Sequence, residues 1–188
     1  MVVLVIAALA FLFSGTQGEQ SSSPGIYESA DAYEVYSVLL PHEQSWRFAT
    51  GALVIQQETV PSEIQDGCFA EESKKRFKDA ISDYKAVNGK RWLLQPRFEI
   101  EKPRLLVTEK DIKAIMARGG WEAFYKQYPG SGGVFTVSAV GFSKDKTLAV
   151  VYTGTQCGLL CGRWIPHLLE KVSGKWKEVG GVGCGGMS

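Results

Sequence analysis

The chain has 188 residues, sets 21 basic side chains against 20 acidic ones for a formal charge of +1, and is 45% hydrophobic. That length supports one domain with a real core. The balance is near neutral, and the local clusters Lys74-Lys75-Arg76 and Lys90-Arg91 read as solvated helix faces rather than the strongly basic face that a nucleic-acid partner requires. No run after the first thirteen residues approaches the ~20 apolar residues that cross a bilayer.

Met1–Phe13 (MVVLVIAALAFLF) is apolar without interruption and is followed by the small residues Ser14–Gly18. This is the pattern of a secretory signal peptide, residues 1–18, with cleavage near Gly18–Glu19. It is atypical in having no Lys or Arg before the apolar core. Residues 19–29, with the run QSSSPG, read as a flexible leader. Residues 30–179 read as a single domain, and residues 180–188 (GGVGCGGMS) as a loose glycine-rich tail.

Ala30–Leu40 places Ala32, Tyr33, Tyr36, Leu39 and Leu40 on one helical face, and Pro41 stops the run. Ala52–Thr59 reads as a strand closed by Pro61. Glu71–Val87 carries Phe77, Ala80, Ile81, Tyr84 and Val87 as an apolar stripe, which predicts one helix ended by Asn88-Gly89. Arg91–Leu94 and Arg104–Val107 are short strand candidates, with Pro96 and Pro103 between them. Thr108–Asp111 resembles a capping box and starts a helix that Gly119-Gly120 breaks. A second, aromatic helix follows from Trp121 to Tyr128. Val134–Phe142, Thr147–Thr155, Trp164–Val172 and Lys175–Val179 are rich in β-branched and aromatic residues and separated by turn signals, the pattern of an antiparallel meander. Helices first and strands in series give an α+β fold, with the helices packed on one face of a C-terminal antiparallel meander of about four strands.

Cys68, Cys157, Cys161 and Cys184 all lie beyond the signal segment, and an even count in an oxidising compartment favours disulfides. Four cysteines allow three pairings. The close spacing of Cys157 and Cys161 in a glycine-flanked segment favours that local pair, which leaves Cys68 with Cys184. Cys157 and Cys161 are one residue too far apart for the C-x-x-C redox motif, and strands flank them. The four cysteines lack the two close ligand pairs of a zinc site, so no metal and no cofactor are expected. His42-Glu43 does not begin H-E-x-x-H, because Trp46 stands where the second His is needed. His167 and Glu170 are three apart on a strand and so face opposite sides. Gly181–Gly186 matches G-x-G-x-x-G without the helix that must follow it.

Ser138–Val179, with CGLLCG and the GKW of Gly174–Trp176, resembles a family of uncharacterised exported bacterial proteins. These share a C-G-x-L-C-G strand connection and a C-terminal G-K-W strand, and Gly120–Gly133 fits the same pattern. Arg163 and Trp164 depart from the small residue usual after the second C-G. A weaker similarity is to NTF2-like domains, whose curved sheet encloses a pocket.

These readings combine into a secreted or periplasmic bacterial domain whose function is not written in a motif. The expectation is a non-enzymatic domain that binds an envelope component, a peptide or a glycan. Its cysteine-loop edge would be the contact surface, and Arg163, Trp164 and His167 are the candidate binding residues. The alternative is an NTF2-like pocket protein, an enzyme or a small-ligand carrier, with its site between helices and sheet near His167 and Glu170 or Tyr152. Nucleic acid and membrane spanning are not expected of the mature domain.

Overall fold

The computed structural model describes residues 23–42, 49–180 and 182–187. Residues 1–18, read from the sequence as a signal peptide, and Trp46 lie outside the described residues. The chain is α+β, with helices towards the N-terminus and strands towards the C-terminus.

Helix α1 (Ala30–Leu39) begins at Ser29, whose hydroxyl accepts from the Ala32 amide, and passes into a single 3-10 turn, Leu40–His42. The helix expected over residues 71–87 is two helices. α2 (Glu71–Arg76) and α3 (Lys78–Val87) meet at Phe77, whose φ of −95° and ψ of 12° leave the helical region. Phe77 is buried at the joint, and none of the α2 residues is. Helix α4 (Glu109–Gln127) is capped by Thr108, which accepts from the Asp111 amide at 3.1 Å. It is broken as expected at Gly119-Gly120, where Gly120 takes φ 60° and ψ −143°.

The strands are β1 (Gly25–Ile26), β2 (Leu53–Gln56), β3 (Trp92–Leu93), β4 (Arg104–Val107), β5 (Val134–Val137), β6 (Gly141–Phe142), β7 (Leu148–Gly158), β8 (Cys161–Val172), β9 (Lys175–Val179) and β10 (Gly186–Met187). The expected meander is present as β5, β7, β8 and β9 in antiparallel succession, with β6 also on β7. It is part of a larger mixed sheet of order β10-β8-β7-β5-β2-β4, in which β2 pairs in parallel with both β4 and β5.

Helical packing extends beyond one face. Ala149, Val150 and Val151 of β7 are all fully buried, as a strand covered on both sides requires. α1 packs with Leu53, Ile55, Phe135, Val151 and Leu169 on one face. α3 meets Val150 and Leu168 on the other, where α4 also covers Val54 and Val134. α3 comes so close that a Cβ on Gly141 would lie 2.2 Å from the Tyr84 nitrogen. α1 is fastened by charge as well. Lys171 reaches Asp31 at 3.1 Å and Glu34 at 2.9 Å, and the Trp176 indole donates to Glu34.

The described parts of the leader and of the glycine-rich tail carry regular structure that their composition did not suggest. The leader ends in β1, which pairs with β3, and Tyr27 beside it is buried. The glycine-rich end forms β10 on β8, and Cys184 is bonded to Cys68 across 116 residues. The second disulfide is Cys157–Cys161. Among the described residues no helix is long and apolar enough to cross a membrane.

Candidate functional site

The longest strands, β7 and β8, form one hairpin. Its tip is the two-residue turn Leu159-Leu160, between the paired residues Gly158 and Cys161. Two-residue hairpin turns ordinarily need φ > 0, which leucine resists. Neither tip leucine has a positive φ. The pairing register instead shifts between Gln156 and Gly158, leaving Cys157 as an extra, bulged residue. The bulge brings the Cys157 and Cys161 Cα atoms to 5.0 Å, and the disulfide closes the tip. Contrast the β8–β9 turn: Ser173 and Gly174 take φ of 50° and 78°, the primed-turn geometry for which that pair is suited.

The staple holds two leucines in water. Leu159 is 91% exposed and Leu160 88%, whereas no other large hydrophobic side chain among the described residues exceeds 53%. At the base of the tip, the Tyr125 hydroxyl from α4 donates to the Cys157 carbonyl at 2.8 Å. Trp164 lies half-buried across Gly154, where a Cβ would come within 2.8 Å of its ring.

The sequence candidates do not form one platform. Arg163 is exposed and faces the α1 side of the sheet opposite Thr155, and its neighbour Trp164 faces the other side. His167 is 5% exposed and faces the α1 side, opposite Val151. As the strand alternation required, Glu170 is not its partner; Glu170 pairs with Arg76 on the far face. Tyr152 also faces away from His167, opposite Pro166. Pro166 is tolerated mid-strand because both Tyr152 backbone groups bond to Ser138, so Tyr152 and Pro166 exchange no hydrogen bonds. Its outer side falls between the pairings of β10 and β9, where no ladder needs an N–H.

The carboxylate that His167 does use is Glu178, from β9, at 2.6 Å from Nδ1. Thr153 Oγ1 lies 2.8 Å from the other ring nitrogen, Nε2. Hydroxyl, imidazole and carboxylate thus stand in the order of a nucleophile, base and orienting acid. Thr153 is only 2% exposed, so its hydroxyl is not presented to a substrate from solvent. The row continues to Thr155, which is buried and whose Oγ1 has no hydrogen-bond partner among the described residues. The hydrogen bond to His167 holds the Glu178 carboxyl below the usual carboxylate range; burial opposes this, and the charges of His167, His42 and Arg163 add to it.

A surface cleft of 760 Å³ lies elsewhere, between the Pro61–Ile64 segment and the end of α3. Two of its polar side chains are engaged in structure: Tyr84 donates to the Ser62 carbonyl, and the Asn88 amide bonds the Tyr84 and Ala139 backbone. Burial pushes the Tyr84 phenol up to about 12.

Comparison with protein-family models, curated proteins and solved structures returns no match to this chain.

Two features escaped the sequence reading: the tip leucines and the Thr153–His167–Glu178 row. A signal existed for the first, since an apolar pair inside a turn breaks the rule that exposed turns are polar. Glu178 was legible only once Ser173-Gly174 is taken as the centre of a two-residue turn, which sets Leu169 opposite Glu178 and so brings Glu178 to the His167 face.

Proposed function

We propose that this is an exported bacterial domain that binds a component of the cell envelope through the stapled tip of the β7–β8 hairpin, with binding rather than turnover as its activity. The observation that carries this reading is the exposure of Leu159 and Leu160 on a turn closed by a disulfide. An exposed leucine pair costs solubility, and its burial against a partner contributes about 1.5–3 kcal/mol per side chain. The staple removes in advance much of the ordering cost that a free loop would incur on binding. Both disulfides accord with folding in an oxidising compartment.

The test is retention of the full-length protein on cell-envelope fractions. Leu159→Ser/Leu160→Ser, at positions that touch little of the fold, is expected to lower retention at least tenfold. Equal retention of the variant overturns the reading.

A second reading, a small-ligand carrier or enzyme, is favoured by the buried row of Thr153, Thr155 and His167, in which the Thr155 hydroxyl has no partner among the described residues. Native mass spectrometry separates the two: a bound small molecule lost in Thr155→Val supports the second.

A further inference from the structure

The hairpin tip is uncharged over an unusual length. No charged residue occurs from Thr147 to Gly162, nor from Gly180 to Ser188. Part of that second stretch is β10, which lies beside β8 at Arg163 and Trp164. Arg163 is the only charged residue of β8 before Glu170. The β7–β8 hairpin therefore offers leucine at its extremity, Arg163 as the first charged residue behind it on β8, and the aromatic side chains of Trp164 and Tyr125 near its base.

From this arrangement we infer that the tip docks on a lipid surface, with Leu159 and Leu160 in the acyl boundary and Arg163 among anionic headgroups. The inference rests on the reading of the tip as the contact and names its partner. Strand geometry sets the depth. At about 3.3 Å per residue, Arg163 stands about 10 Å behind Leu160. Interfacial elements bury their apolar side about 5–10 Å below the headgroups, so leucines at that depth put the guanidinium level with the phosphates. Tyrosine and tryptophan favour the same layer. A protein groove fits less well. Stable protein interfaces bury about 1,000 Å² or more and carry a polar rim, whereas a two-leucine tip presents a small area with no charged residue ahead of Arg163 on the hairpin itself.

Flotation with protein-free vesicles tests this. The full chain, Leu159→Ser/Leu160→Ser and Arg163→Gln are each mixed with phosphatidylcholine vesicles and with vesicles that also contain phosphatidylglycerol. The apolar Met1–Phe13 run is common to all three proteins, so differences among them report the tip. Unchanged urea midpoints show that both variants fold. The wild type is expected to float on both vesicles and roughly fivefold better with phosphatidylglycerol, the gain from one basic residue at an anionic surface. The double serine variant is expected to lose at least tenfold on both. Arg163→Gln is expected to lose the phosphatidylglycerol preference while keeping phosphatidylcholine binding. A double serine variant that floats like the wild type, or a wild type that does not float, overturns the inference. If the wild type fails to float but its envelope retention still depends on the leucines, the tip is the contact and its partner is a protein or glycan. If neither assay depends on the leucines, both readings fall.

Discussion

Glu178 shows how one side chain carries pH dependence into the fold. Its carboxyl accepts from the buried His167 ring, and that hydrogen bond lowers its folded pKa below the ordinary value of 4.5. The unfolded chain therefore takes up this proton at a higher pH than the folded one. The stabilisation is complete above about pH 4.5 and drains away as pH falls through the lower folded value. Asp31, held down first by its hydrogen bond to Lys146, and Glu109, held down first by Lys113, act in the same direction. Glu178→Gln is expected to lower the urea midpoint at pH 7 and to flatten its fall between pH 5 and pH 3, about as the linkage for one carboxyl predicts. A variant with the wild-type acid slope would show that this bond does not couple to folding. The residue scale also shows a limit of sequence reading. The His167–Glu178 contact joins strands eleven residues apart and depends on register, which neither residue encodes.

At the scale of elements, helices were legible wherever the apolar stripe was regular. Their interruptions were legible only where glycine marked them. Gly119-Gly120 announced the break in α4, because Gly120 takes a φ and ψ that other residues enter at a cost. Gly120→Ala is expected to destabilise the protein by about 1–3 kcal/mol, read from urea denaturation. A neutral outcome would mean that the two arms of α4 tolerate a straighter path. Phe77 announced nothing, since it belongs to the stripe; tertiary burial, not local propensity, ends α2 there. The meander was legible because its turns are local: Ser173-Gly174 fixes β8 against β9 by itself. The parallel seat of β2 between β4 and β5 was not, because its partners lie far along the chain and share only an apolar character.

For the whole molecule, the two disulfides differ in kind. On the chain-entropy account the 116-residue loop of Cys68–Cys184 contributes about 5 kcal/mol and the four-residue ring of Cys157–Cys161 about 2. Domain stabilities run to about 5–15 kcal/mol, so the long bridge is a large share of the total. Cys68→Ser/Cys184→Ser is expected to bring the protein close to unfolding at 37 °C, while Cys157→Ser/Cys161→Ser is expected to shift the thermal midpoint by a few degrees. The reverse ranking would show that strain or residual structure outweighs loop entropy. The short ring has a kinetic consequence as well. A chain that emerges N-terminus first exposes Cys68 long before Cys184, and two wrong thiols, Cys157 and Cys161, come out in between. Those two sit so close that they can capture each other as soon as both are free. Once they have, Cys184 is the only thiol left for Cys68. The staple that holds the leucines at the tip thus also acts as a proofreader, removing the competitors before the long bridge is chosen.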